Sequence, residues 1–238
     1  MMKDHDILAF DPIADVWEDF AMEMNGFIGG LYNLGDWIIR LVYINILWIL
    51  FILAGAIGLG IMPSTAAVFS VMRKWMKGEE DIPIFKTYLE AYKQEFVKSN
   101  LIGLLLGILL LIFYIDYKVI VISEGTSFQI LALILIPILL LFCFMCLYIF
   151  PVFVSYNMKL LQYFKYSFLF AFASPLSTLM MIIGLFFTTI LEIMVPGLIV
   201  FFGISAPAFV IMASANRAFG KVKHKVKGDF ELQDSSIL

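Results

Sequence analysis

Apolar residues fall in long blocks along the chain, at residues 41–72, 101–115, 128–154, 168–191 and 193–213. A bilayer hydrocarbon core of about 30 Å needs about 20 apolar residues in a row at 1.5 Å each. The pattern therefore predicts an all-α, polytopic membrane helix bundle with five transmembrane helices. The block from Leu101 is short and needs residues 97–100 or 117–122 to complete it. The first block is too long, about 48 Å as one helix. Pro63, preceded by Gly55, Gly58 and Gly60, supplies the break, because proline lacks a backbone donor and clashes with the preceding turn. A proline-broken first helix is expected: one span ending near Ile61, then a second helix from Ser64 or Thr65 that runs out through Arg73.

Two further stretches have helical periodicity without being long enough to span. Ile7, Phe10, Ile13, Val16, Trp17, Phe20 and Met24 recur at helical spacing, with Asp11-Pro12 as a start signal and Asn25-Gly26 as a stop. This predicts an acidic amphipathic helix lying on the membrane surface, or a lid or docking helix on the outer face. The second begins at Asp81-Ile82-Pro83 and places Phe85, Tyr88, Leu89, Tyr92 and Phe96 on one stripe, with Lys86, Glu90, Lys93 and Glu95 elsewhere. Aromatic rings suit the headgroup level, so an interfacial helix is one reading. A coupling surface for another protein is the other, since docking helices use the same anchor spacing. The expected organisation is an extension over residues 1–26, a transmembrane domain over 27–219 with a cytoplasmic loop at 73–98, and a basic tail over 220–238.

Composition narrows the class. Of 238 residues, 62% are hydrophobic and 15% charged, with a mean hydropathy of +0.97. Soluble domains and disordered chains are both excluded by that balance. A net charge of −3 leaves no footprint for a nucleic-acid partner. Lysine and arginine are distributed unevenly: thirteen of the sixteen lie in residues 73–98, 155–165 and the carboxy-terminal tail. Short loops rich in these residues stay cytoplasmic. A multi-pass protein of a bacterial plasma membrane is expected, N-terminus outside and C-terminus cytoplasmic. Residues 1–26 carry eight charges and no apolar core, so they do not read as a signal peptide.

Candidate chemistry is sparse. His5 and His224 sit in opposite tails, and Cys143 and Cys146 form a CxxC inside an apolar span, where packing is the expected role. No phosphate loop, metal site, cofactor site or catalytic constellation is read, and the protein is not expected to be an enzyme. Gly103 and Gly107 satisfy a small-xxx-small pattern that lets helices approach closely. Asn45 lies inside the first span, where an amide must find a partner across a helix interface. Trp48 is expected to pack. Ser64 and Thr65 follow Pro63 as hydroxyls able to satisfy backbone groups freed by the break.

The ordered run Asn45-Ile46-Leu47-Trp48, Gly60-Ile61-Met62-Pro63-Ser64-Thr65-Ala66-Ala67, Arg73-Lys74-Trp75-Met76-Lys77-Gly78-Glu79, Phe85-Lys86-Thr87-Tyr88, Tyr92-Lys93-Gln94-Glu95-Phe96 and Asn100 closely resembles the YesL-like family. These are small bacterial integral membrane proteins known as a domain of unknown function. The resemblance runs from about residue 24 to 219 and is sharpest over residues 45–103. Residues 1–23 extend beyond it. Members are often found beside sugar-uptake transporters and polysaccharide-utilisation systems. The resemblance thus implies an accessory or regulatory subunit working with a carbohydrate-uptake transporter through residues 73–100. The alternative is a self-sufficient passive channel or facilitator for a small neutral solute, lined by Asn45, Thr65, Asn100 and the serines of the fourth span. Membrane lipid, a sugar-uptake transporter and a second copy of the chain are the expected partners.

Overall fold

In the computed structural model residues 34–122 and 126–235 are described, the side chains of residues 126–130 and 222–235 excepted. The expected acidic helix within residues 1–26, His5, and the side chains of Lys223, His224, Lys225 and Lys227 lie outside the described residues. Among the described residues the chain forms helices and no strand. They are α1 (Leu34–Ala54), α2 (Ile61–Met76), α3 (Ile84–Ile122), α4 (Thr126–Ser155), α5 (Leu160–Ala173), α6 (Pro175–Met194), α7 (Gly197–Phe202) and α8 (Ser205–Ser235). The all-α class stands. The chain divides into two compact units, residues 1–41 and 42–238. Within the described part of the first, Arg40 Nε donates to Asp36 Oδ2 at 2.6 Å. All packing discussed below belongs to the second.

Four described helices are long and apolar enough to cross a membrane: α1, α3, residues Leu131–Ser155 of α4, and α6. The expected count of five therefore needs correction. The fifth block, residues 193–213, is divided between α7 and α8. Pro207, the third residue of α8, cannot donate to the carbonyl of Gly203, and the helix restarts just before it. The fourth block is also cut, at Ser174-Pro175, so its first six residues belong to α5.

The first break lies upstream of its expected place. α1 ends at Ala54 and α2 begins at Ile61, so Pro63 sits inside the first turn of α2. There the missing donor is one that has no intrahelical partner anyway. The reversal is made instead by residues 55–60. Gly55 N bonds Phe51 O at 3.0 Å and Ile57 N bonds Ile52 O at 2.9 Å. Ala56 and Ile57 adopt φ values of 54° and 59°, a left-handed conformation costing L-residues about 1–2 kcal/mol each. A Cβ on Gly60 would lie 2.5 Å from the Ile52 carbonyl oxygen, so only glycine lets the turn close.

α2 is the hub of the bundle, contacting α3, α4 and α8 and burying ten of its sixteen residues. At about 24 Å it is too short to span alone. In lipid its apolar side chains gain packing rather than transfer free energy, because acyl chains are as apolar as they are. α3 has 39 residues, about 58 Å. The segment expected to be a separate interfacial helix is its continuous amino-terminal part, and the short block from Leu101 is completed at both ends. The helical backbone likewise continues through residues 220–235, expected as a tail.

Candidate functional site

Apart from Asn45, the sequence-selected residues gather at two places. The first is the turn at residues 55–60. Trp48 Nε1 donates to Thr65 Oγ1 at 3.1 Å, and Thr65 Oγ1 donates to the Ile61 carbonyl at 2.8 Å. Asn100 Nδ2 reaches the Leu59 carbonyl at 3.0 Å and the Phe96 carbonyl at 2.8 Å. Tyr88 OH donates to the Ser64 carbonyl at 3.1 Å, and Tyr92 OH to that of Phe51 at 3.2 Å. The bonds to the Phe51, Leu59, Ile61 and Ser64 carbonyls satisfy groups at or beside the turn, where irregular backbone in lipid must find protein partners.

The aromatic stripe serves this packing. Phe51 is surrounded by Phe85, Tyr88 and Tyr92 at centroid distances of 6.3, 5.1 and 4.9 Å, and Phe96 meets Tyr92 edge-on at 5.6 Å. Tyr88 is fully buried and Phe85 is half exposed. The stripe expected at the headgroups is therefore turned mostly inward onto α1 and α2. Headgroup seating and packing on a neighbouring helix demand the same spacing, which is why the sequence leaves them open.

Asn45 lies elsewhere. Its Nδ2 donates to the Val200 carbonyl at 2.7 Å, and its Oδ1 accepts from the Ile204 backbone N–H at 3.0 Å. It thereby closes the gap between α7 and α8, two elements whose separation Pro207 and Gly203 signal. Thr178 does the same at the α5–α6 corner, donating to Ala171 O at 2.9 Å and meeting Tyr148 OH at 3.1 Å. Asn45, Thr65 and Asn100 are thus committed to separate backbone groups, and none bonds to another.

The second place is a polar cleft of about 530 Å³ between the α2–α3 connection and the α4–α5 corner. Arg73 forms its wall, with Nη1 on the Val154 carbonyl at 2.6 Å and Nη2 on that of Ser155 at 3.1 Å. A cation there also suits the negative end of the α4 dipole. Lys74, Lys77, Glu79, Glu90, Gln94 and Lys98 line the rest. Lys98 Nζ approaches Asn157 Oδ1 at 3.4 Å. Burial pushes the Tyr156 phenol above its ordinary range, with the Arg73 charge pulling the other way. Trp75 packs beneath at 3% exposure.

Asn216 Nδ2 approaches the Met76 carbonyl at 3.4 Å, and Phe219 packs edge-on against Tyr156 at 5.4 Å. The stretch of α8 around Asn216 and Phe219 therefore lies beside the ends of α2 and α4 that border the cleft. Sequence reasoning found Arg73 and Lys74 but missed Ser155, Tyr156 and Asn157, whose signal was the end of an apolar block after Pro151. Cys146 packs against the core while Cys143 is exposed on α4, so only one of the pair has the expected packing role.

Residues 41–117 match the family described as "Protein of unknown function, DUF624". The chain is 38% identical over 194 residues to the uncharacterized protein YteU of Bacillus subtilis (strain 168), covering 80% of this chain and 86% of YteU. It is 38% identical over 195 residues to YesV of the same organism (81% and 93% covered) and 34% identical over 190 residues to YesL (80% and 90% covered), both uncharacterized. No solved structure matches the chain. With relatives of this similarity aligned over four-fifths of its length, the chain belongs to the DUF624 family, the YesL-like proteins.

Proposed function

We propose that this protein is a non-enzymatic accessory or regulatory subunit that associates with a carbohydrate-uptake transporter in a bacterial plasma membrane. Its N-terminus faces outward and its C-terminus the cytoplasm, α7 and the first half of α8 together completing the odd number of crossings that this requires. The observation that carries the reading is the cleft around Arg73. It is polar, lined by charges of both signs, and built by the 73–98 and 155–165 regions. Lys74, Lys77, Glu79, Glu90 and Glu95 form no ion pair with another described residue, so their charges are available to a complementary surface. Such charges favour encounter and orientation of a partner more than raw affinity. The lysine and arginine content of the loops that build the cleft, residues 73–98 and 155–165, favours a cytoplasmic setting for it. The link to sugar uptake rests on the resemblance to YesL-like proteins.

Affinity purification of the full chain in mild detergent is the test, paired with sugar uptake in a deletion strain. A transporter component retained by wild type and lost on charge reversal at Lys77 and Glu90 supports the reading. No transporter component in the eluate, with uptake unchanged by deletion, rejects it.

A further inference from the structure

α3 presents three faces near its amino-terminal half. One carries the aromatic residues onto Phe51, and one lines the Arg73 cleft. The third carries Lys86, Lys93, Asn100 and Gly107 at seven-residue intervals, two helical turns apart, and so in one line along the helix. Above Asn100 this line enters an apolar groove of about 730 Å³, walled by Leu59, Met62, Leu104 and Leu111 and floored by Gly103 and Gly107.

The two floor glycines differ. A Cβ on Gly103 would collide with the Met62 side chain, so that glycine serves packing within the chain. A Cβ on Gly107 would meet nothing within 4 Å, and the same holds for Gly58 at the groove's rim. Glycine within a helix costs about 1 kcal/mol relative to alanine, and Gly107 recovers none of it from internal contacts. The space over it is open. From Val97 to Leu111 the groove extends about 21 Å, more than the roughly 15 Å depth of one leaflet's hydrocarbon. At its polar end Lys93 is exposed one turn before Val97, with Lys86 two turns further on.

We propose that this groove is a specific site for an anionic glycerophospholipid of the leaflet on the cleft side. One acyl chain lies over Gly107, and the headgroup phosphate meets Lys93, with Lys86 adding to the local positive potential. Apolar walls continuing into an aligned pair of lysines match the two parts of such a molecule, and a basic residue near the surface attracts anionic lipid.

Native mass spectrometry of the detergent-solubilised full chain, titrated with phosphatidylglycerol or phosphatidylcholine, tests the proposal. Wild type should retain one phosphatidylglycerol with at least tenfold preference over phosphatidylcholine. Lys93→Gln should cut that preference to about twofold or less. Gly107→Leu should abolish retention of both lipids while leaving the helical circular dichroism and melting temperature near wild type. Equal retention of the two lipids by wild type, or unchanged preference in Lys93→Gln, would overturn it. So would a Gly107→Leu protein that keeps its lipid but changes from dimer to monomer, since a second chain would then occupy the groove.

Discussion

The Asn45 carboxamide bonds the Val200 carbonyl and the Ile204 amide, residues 155 and 159 positions away, and so joins α1 to the gap between α7 and α8. Both backbone groups lack partners in a regular helix there, and Asn45 is 1% exposed. Replacing it with leucine leaves a buried donor and a buried acceptor unmet, at about 1–3 kcal/mol. The Asn45→Leu protein is expected to melt several degrees below wild type in the same detergent. The Ser64 hydroxyl, expected to satisfy backbone freed at the break, makes no protein hydrogen bond, and only Thr65 fills that role; Ser64→Ala should therefore change stability much less.

The reversal at residues 55–60 separates two glycines that look alike in sequence. Gly60→Ala places a methyl group against the Ile52 backbone, which cannot yield as a flexible side chain would. Gly58→Ala meets open space. Gly60→Ala is expected to lower stability by about 2–4 kcal/mol or to abolish accumulation in membranes, within the range of overpacked, severely destabilising sites. Gly58→Ala should change stability by less than about 1 kcal/mol. Thermal melts of both purified proteins provide the comparison.

Tyr88 and Phe85 share one stripe but differ in burial. Tyr88→Phe keeps the ring against Phe51 and loses the bond to the Ser64 carbonyl, at about 1 kcal/mol. Tyr88→Ala also empties a buried volume and should cost about 3–5 kcal/mol. Phe85→Ala, at 50% exposure, should cost clearly less than Tyr88→Ala. Equal losses at the two positions would contradict the inward orientation of the stripe.

Arg73 holds two carbonyls at the end of α4 with its planar fork. Lysine offers a single ammonium and does not reproduce that geometry. Arg73→Lys is expected to cost about 1 kcal/mol, and Arg73→Gln about 1–2 kcal/mol, with greater protease sensitivity of the α4–α5 linker. Limited proteolysis followed by mass spectrometry locates the cut.

Much of the helical bundle was legible because apolar block length must match the hydrocarbon thickness of a bilayer. Breaks were less so. Pro63 marks the vicinity of a reversal, yet glycine conformation at residues 55–60 decides its position. Pro207 and Gly203 sit within an apolar block that hydropathy averages smoothly, and the split there became visible only with Asn45 bridging it. The need of Asn45 for a partner could be read from one chain position, but the partner depended on a gap more than 150 residues downstream. The stripe from Phe85 to Phe96 was readable as amphipathic. Its target was not, since lipid headgroups and a packed helix pair select the same side chains. The cleft joins Arg73 to residues 154–157 through folding alone, without any local sequence signature.

Cysteine accessibility in intact cells bears most directly on the proposed orientation, with the cleft and basic loops on the cytoplasmic side. In a background carrying Cys143→Ala and Cys146→Ala, single cysteines are placed by Gln94→Cys in the cleft and Lys118→Cys near the far end of α3. A membrane-impermeant maleimide should label the residue-118 cysteine in intact cells and the residue-94 cysteine only after permeabilisation. Labelling of the cleft cysteine in intact cells would contradict the orientation and, with it, a cytoplasmic docking site.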